Sequence, residues 1–187
     1  DNKWAYLKTR GDVRWKSLPS YLELLVPRML DVLDQHRLTI TFFVVGQDAA
    51  LDRHRDVLAS ISDAGHEIGN HSFHHAPWLH QYSTGRIISE IAQAEEHLER
   101  VTGQRPLGFR GPGYSVCEKT LRVLADRGYW YDASTFPTFI GPLARAYFLF
   151  ASHLSAAEKA KRTAIFGGMG EAFRSLDASY WDLPGGR

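Results

Sequence analysis

Cysteine is almost absent from this sequence, because Cys117 is its only example in 187 residues. A single cysteine excludes a disulfide within the chain and a zinc site built from several thiolates. Any metal ion would therefore have to be held by histidine and carboxylate side chains.

A net charge is also nearly absent. The chain has 22 lysine and arginine residues against 21 aspartate and glutamate residues, which gives a formal charge of +1. These charges are interspersed, without the basic stripe that is typical of proteins bound to nucleic acids or to anionic membranes. We therefore expect a neutral substrate and no nucleic-acid partner.

Long hydrophobic runs are missing as well. No apolar run reaches the roughly 18 residues of a membrane-spanning helix, and the first residues do not form a signal-like segment. We expect no transmembrane segment in this chain, whereas the compartment, bacterial cytoplasm or cell envelope, and the oligomeric state stay open. The sequence starts at Asp1 without a methionine, and we expect it to be an excerpt of a longer protein.

The sequence does contain enough apolar residues for a sizeable core, at 44% hydrophobic and 12% aromatic. We predict a single domain over residues 1–187. The pattern of apolar residues predicts a series of alternating helices and strands. The helices are expected near 22–33, 53–64, 84–102 and 118–126, and the strands near 38–45, 66–70, 107–110 and 129–132.

Alternating strands and helices with short connections predict an α/β fold with a parallel sheet, either doubly wound or closed into a barrel. The continuous apolar run over 38–45 is typical of a strand that is buried on both faces. Residues 1–20 have no clear period and are predicted to form a loop, and 138–175 are predicted to be an insertion or a lid. In both arrangements of the sheet, functional residues gather at the carboxyl ends of the strands.

Three of the nine histidines lie directly after the second predicted strand, in the segment Gly69-Asn70-His71-Ser72-Phe73-His74-His75. If a helical turn begins there, His71 and His75 lie on one face with Cβ atoms about 5–6 Å apart, so both imidazoles could bind one metal ion. The alternative is a structural pair without a ligand. Serine at position 72 stands where metalloproteases carry their catalytic glutamate, which disfavours a protease.

Two imidazoles leave a tetrahedral metal short of a ligand, and catalytic sites usually add a carboxylate and a water molecule. Four aspartates are candidates for this carboxylate: Asp1, Asp12, Asp48 and Asp132. Arg110 and Asp132 also stand at the carboxyl ends of predicted strands, so we expect them at the same rim as the histidines.

Three blocks of the sequence resemble successive blocks of the NodB-type polysaccharide deacetylases, carbohydrate esterase family 4. They are Thr41-Phe42-Phe43-Val44-Val45-Gly46, the segment from Gly65 to His75, and Phe109-Arg110-Gly111-Pro112-Gly113-Tyr114, in matching order over roughly 25–137. The resemblance implies a distorted (β/α) barrel that holds one divalent metal through an aspartate and two histidines. It also implies that water attacks an N-acetyl group on a sugar.

The resemblance assigns metal-binding and catalytic roles to particular residues. His71 and His75 match the two histidine ligands, and Asp1 is the candidate for the aspartate ligand. Arg110 matches the arginine that orients the catalytic aspartate. Gly113 stands at the position whose backbone N–H helps to polarise the acetyl carbonyl, and glycine also has such a donor.

The fourth block of the family resembles Tyr131-Asp132-Ala133-Ser134-Thr135-Phe136. The resemblance implies that Asp132 tethers the arginine and that Phe136, in place of tryptophan, lines the substrate groove. Tyr114 and Trp130 are further candidates for stacking against a sugar ring.

The double-aspartate block that begins the family pattern and the L-x-H block that supplies its general acid are not found in this sequence. We therefore expect a chain that is truncated at both ends, with the catalytic base and the general acid outside it. The favoured cofactor is one zinc ion, and cobalt, nickel and iron also suit two histidines and a carboxylate.

The predicted function is that of a metal-dependent hydrolase that removes N-acetyl groups from a polysaccharide or another glycan. One alternative is a related hydrolase that acts on a small non-sugar amide, since a fold does not fix the substrate. The other alternative is a non-catalytic carbohydrate-binding module with a degenerate site.

Overall fold

The computed structural model describes residues 12–18, 20–135 and 177–183 of the chain. The candidate residues Asp1 and Phe136 and the segment 138–175 lie outside these ranges. The chain divides into two compact units, the first with residues 1–76 and 90–106 and the second with 77–89 and 107–187.

The described residues form alternating helices and parallel strands, as the sequence predicts. In chain order the elements are α1 Leu22–Gln35, β1 Thr41–Val44, α2 Gly46–Ala49, α3 Arg55–Asp63, β2 Glu67–Asn70, α4 Thr84–Thr102, β3 Gly108–Phe109, α5 Glu118–Asp126 and β4 Tyr131–Asp132. Short 3-10 turns lie at Val13–Ser17, Asp52–His54, Leu79–Gln81 and Pro112–Tyr114. The turn at Val13–Ser17 replaces part of the predicted N-terminal loop.

In the first unit, β1 and β2 pair in parallel, with Thr41 opposite Glu67 and Val44 opposite Asn70. A core packs beside these strands, and its buried members are Val26, Ala49, Leu58, Ile61, Ile68 and Leu98. All four residues of β1 are only partly buried, so the prediction of a strand that is buried on both faces is wrong. Gly65 has a φ of +81° directly after the turn that ends α3, a conformation that is typical of glycine at a helix terminus.

Helix α1 buries a narrower face than its pattern of apolar residues suggests. Val26 is 3% exposed, whereas Leu25 and Met29 are 41% and 43% exposed. Leu22 and Leu30 pack against the core beside Val26, so the inward residues recur every four positions. Pro27 lies in the interior of this helix, where it removes one backbone hydrogen bond.

In the second unit, β3 and β4 pair in parallel, with Gly108 opposite Tyr131 and Phe109 opposite Asp132. Phe109 is fully buried, and its ring meets the edge of Tyr129 at a centroid distance of 6.4 Å. Among the described residues, no helix is both long enough and apolar enough to cross a bilayer.

Candidate functional site

The histidine loop, residues 71–75, leaves the carboxyl end of β2 in an irregular conformation. The His71 N–H donates to the Val44 carbonyl at 3.1 Å, which continues the pairing of β1 and β2 by one residue. Ser72 and His75 then adopt positive φ angles of 59° and 56°. The predicted helical turn is therefore wrong, because left-handed residues interrupt a right-handed helix.

The loop nevertheless brings the two predicted ligands together. The ring centroids of His71 and His75 lie 4.9 Å apart, with 55° between the ring planes. Metal–nitrogen bonds of about 2.0–2.1 Å place the centroids of two imidazoles on one tetrahedral ion roughly 5 Å apart. The separation in the structure fits a two-histidine half-site.

Buried polar side chains hold the histidine loop in place through hydrogen bonds. Asn70 is fully buried, and its side-chain amide donates to the Ile91 carbonyl at 3.0 Å. Its Oδ1 accepts the Ser72 N–H at 2.9 Å, and the Ser72 hydroxyl accepts the His75 N–H at 3.2 Å. A chain of hydrogen bonds therefore runs from α4 to the candidate ligand His75.

The start of α2 holds the loop through its backbone. The Gly46 N–H donates to the Ser72 carbonyl at 2.9 Å, and the Gln47 N–H donates to the Phe73 carbonyl at 3.1 Å. These N–H groups belong to the first turn of a helix, where they have no partner within the helix itself.

His74 binds a buried carboxylate, while its own side chain is 53% exposed. Glu90 of α4 is 4% exposed, and its Oε2 accepts the His74 N–H at 2.9 Å. Its Oε1 lies 2.8 Å from His74 Nδ1. Both oxygens of one carboxylate therefore hold the residue next to His75.

We predict that Glu90→Ala destabilises the histidine loop, because the His74 N–H then loses its acceptor in a partly buried position. The expected cost is about 1–3 kcal/mol in the free energy of unfolding, measured by urea denaturation. Glu90→Gln retains one carbonyl oxygen, so its free energy of unfolding should fall by less than half as much as that of Glu90→Ala. Glu99→Ala, which removes an exposed carboxylate from the same helix, is the control, and an equal loss in all three variants would contradict the prediction.

The arginine loop, residues 110–115, follows β3 in the second unit. The Arg110 Nε donates to the Ala133 carbonyl at 3.0 Å, and its guanidinium carbon lies 5.9 Å from the centroid of the Tyr114 ring. Gly113 and Tyr114 both have positive φ angles, 61° and 57°. Tyr114 is 43% exposed, so a large part of this residue is accessible to solvent.

Asp132 holds the arginine loop through Ser134. Its Oδ1 accepts the Ser134 hydroxyl at 2.5 Å, and its Oδ2 accepts the Ser134 N–H at 3.1 Å. The same Ser134 oxygen accepts the Gly111 N–H at 2.7 Å. Burial raises the pKa of Asp132, and the two hydrogen bonds from Ser134 and the charge of Arg110 oppose this rise.

Trp130 lies one residue before β4 begins, where its N–H donates to the Leu107 carbonyl at 2.8 Å. Its side chain is 79% exposed. The predicted rim lies at the carboxyl ends of strands, so this placement at an amino end does not support a role in sugar stacking.

Two further aspartates that the sequence offers as ligands are described. Asp12 pairs with Arg14 at 2.5 Å, and this partner lowers the pKa of Asp12 to about 2. Asp48 lies in α2, and its carbonyl oxygen is 2.8 Å from His54 Nδ1. Over residues 12–18, 20–135 and 177–183, no group of three or more potential ligands stands close enough to hold a metal ion. Of the predicted ligands, the described part brings together His71 and His75.

Several residues that shape the two loops were missed by reasoning from the sequence. Their common property is a polar side chain that is almost fully buried, as in Asn70, Ser72, Glu90, Ser115 and Ser134. One local signal is that Asn70 and Ser72 flank the predicted ligand His71, since polar side chains often cap turns.

Comparison with known proteins shows which protein family this chain resembles. The family model for polysaccharide deacetylase matches residues 18–131. A peptidoglycan-N-acetylmuramic acid deacetylase from Bacillus subtilis is 38% identical over 104 residues, which is 55% of this chain and 38% of the relative. A peptidoglycan-N-acetylglucosamine deacetylase from Bacillus cereus is 31% identical over 103 residues, which is 55% of this chain and 36% of the relative.

A similar solved structure is that of a candidate polysaccharide deacetylase from Mycobacterium smegmatis. It has a TM-score of 0.60 and 32% identity, over 70% of this chain and 46% of that protein. The chain thus spans between about a third and a half of the length of these relatives. The likeness confirms the predicted fold class, the α/β fold of the distorted-barrel type found in polysaccharide deacetylases.

Proposed function

Because this chain belongs to the polysaccharide deacetylase family, we propose that the protein hydrolyses the amide C–N bond of N-acetyl groups on a polysaccharide. The two relatives described above act, by their names, on N-acetylated sugars of peptidoglycan. The near balance of charges in the sequence favours a substrate with little net charge. Glycan strands with N-acetylated amino sugars have this property.

The observation that carries the proposal is the approach of His71 and His75 to 4.9 Å on a loop that several hydrogen bonds hold in place. These two side chains would hold one divalent metal, zinc in the first instance, together with a carboxylate for which Asp1 is the candidate. When bound, such an ion supplies Lewis acidity, which polarises the acetyl carbonyl and makes a water molecule more acidic.

By the family resemblance, residues of the arginine loop would orient the reacting groups. Arg110 would orient the catalytic aspartate, and the hydrogen bond from its Nε to the Ala133 carbonyl fixes the direction of the side chain. Asp132 would hold the arginine loop in place through Ser134. The Gly113 N–H would donate to the acetyl oxygen as negative charge develops there.

The Tyr114 ring would pack against a sugar ring, since it is 43% exposed and lies on the same loop as Gly113. Aromatic rings bind sugars through their apolar faces. Phe136 stays a candidate for the same role by family resemblance. Trp130 stays a candidate as an aromatic residue, and its position before β4 gives it the weaker support.

The test is release of acetate from chito-oligosaccharides and from peptidoglycan glycan strands, with the protein freed of metal by a chelator and then reloaded with zinc or cobalt. We expect acetate release only after reloading. Release from acetamide or another small amide, but not from either glycan, would favour the alternative substrate class. Glycan binding without acetate release under any metal would instead indicate a carbohydrate-binding module.

A further inference from the structure

A second pair of side chains, His80 and Ser115, holds the far end of the arginine loop. The His80 backbone N–H donates to the Ser115 hydroxyl oxygen at 3.0 Å, and His80 Nδ1 lies 2.7 Å from the same oxygen. The two residues are 35 positions apart in the sequence and belong to the same unit. Ser115 is 3% exposed, so the contact is shielded from water.

One neutral tautomer of His80 lets the Ser115 hydroxyl both accept and donate a hydrogen bond. The Ser115 oxygen accepts the His80 backbone N–H, so its own proton can be donated to Nδ1 of a neutral ring that carries its proton on Nε2. Burial, and then the charge of Lys119, lowers the pKa of His80, which favours this neutral form. Nε2 is buried and has no hydrogen-bond partner in the described part of the chain.

An apolar side chain at position 80 could not form a hydrogen bond with the Ser115 hydroxyl. The bond from Ser115 to Nδ1 explains what the imidazole contributes.

The arginine loop is therefore held at both ends. At its start, the Ser134 hydroxyl accepts the Gly111 N–H at 2.7 Å, and at its end His80 binds Ser115. Between these two contacts lie Gly113 and Tyr114, both with positive φ angles. A non-glycine residue such as Tyr114 persists in this region of backbone conformation only where the surrounding structure holds it.

We propose that His80 is a positioning residue, which acts through Ser115 to fix the arginine loop so that the Gly113 N–H is presented to the acetyl group. This inference rests on the proposed deacetylase function. It adds a residue to that function from outside the three sequence blocks that carry the family resemblance.

The test compares His80→Ala, His80→Asn and Ser115→Ala. Asparagine places a carbonyl oxygen near the position of Nδ1, so it can still accept the Ser115 proton, whereas alanine cannot. We expect kcat for acetate release to fall roughly tenfold in His80→Ala and Ser115→Ala with little change in KM, because a displaced donor weakens transition-state binding more than substrate binding. His80→Asn should recover most of the loss.

Hydrogen exchange measured by mass spectrometry gives a second readout that does not need activity. Amides of residues 110–115 should exchange faster in the two alanine variants and near the parent rate in His80→Asn. The matched controls are His36→Ala, at an exposed histidine, and Ser60→Ala, whose hydroxyl bonds only to Val57 of its own helix at 2.8 Å. Both controls should leave exchange in the arginine loop unchanged.

Unchanged exchange over 110–115 in His80→Ala would overturn the proposal, as would an equal defect in the asparagine and alanine variants. If the parent protein releases no acetate, the proposed function fails, and the exchange data still decide whether His80 holds the loop.

Discussion

Replacing His71 and His75 together by alanine is expected to abolish binding of a divalent metal ion. The parent protein should retain about one equivalent of zinc after dialysis, because two imidazoles supply half of a tetrahedral coordination sphere. Each single variant should weaken binding by at least roughly 100-fold, since loss of even an outer partner of a ligand costs 10- to 100-fold. The measurements are metal content by plasma mass spectrometry and titration calorimetry with zinc.

The control for this experiment is His36→Ala, which removes an exposed histidine at the end of α1 and should leave the metal content unchanged. Thermal unfolding of the double variant shows whether the fold has survived. A double variant that still folds and still retains one equivalent would mean that His71 and His75 are not the ligands. In that case their approach to 4.9 Å would be a structural ring contact.

Gly111→Ala is expected to lower the catalytic rate strongly. A Cβ atom at Gly111 would overlap the Ser115 carbonyl oxygen, and it would lie 2.9 Å from the carbonyl carbon of Ser115 and 3.2 Å from the Ser134 hydroxyl. The first two are backbone atoms, so a side-chain rotation cannot relieve the overlap, and the arginine loop has to move. A shift of about 1 Å in a positioned donor can cost roughly 100-fold in rate, and we expect kcat to fall by at least this factor.

The same substitution at Gly85 is the matched control. A Cβ atom there would meet nothing within 4 Å, and Gly85 lies in the first turn of α4, where alanine is the better helix former. Gly85→Ala should therefore keep full activity and unfold at the same or a slightly higher temperature. Gly111→Ala with parental kcat would show that the position of the arginine loop does not limit the reaction.

The helices and the His71–His75 pair could be predicted from the sequence because both depend on short-range spacing. Apolar residues recur at helical intervals in α3, α4 and α5, and Leu58, Ile91 and Leu121 are buried as expected. The proximity of the two histidines was also predicted, although for the wrong reason. A spacing of four residues brings side chains together in a helix, but here two left-handed residues produce the same result.

The supporting contacts could not be predicted, because they join residues that are distant in the sequence. Ser115 meets His80 across 35 residues, and Asn70 meets the Ile91 carbonyl across 21. A serine or an asparagine in a loop is ordinarily explained by solvent exposure or by a local turn. Only the folded chain reveals that these side chains are buried and bind partners on other elements.

The sequence also predicts strands that are longer than those in the structure, for a related reason. Trp130 is aromatic and was therefore assigned to the fourth strand, yet β4 begins at Tyr131. The pairing of two-residue strands is decided by which N–H and carbonyl groups face each other, and side-chain type carries little of this information.

The unusual backbone of the histidine loop has a consequence for affinity. The positive φ angles of Ser72 and His75 are held by Asn70 and by the N–H groups of α2, all of which belong to the protein itself. A ligand that arrives at this loop does not have to order a flexible segment, so less of its interaction free energy is lost as conformational entropy. Preorganisation of this kind lets two side chains contribute more to binding than two histidines on an unstructured peptide could.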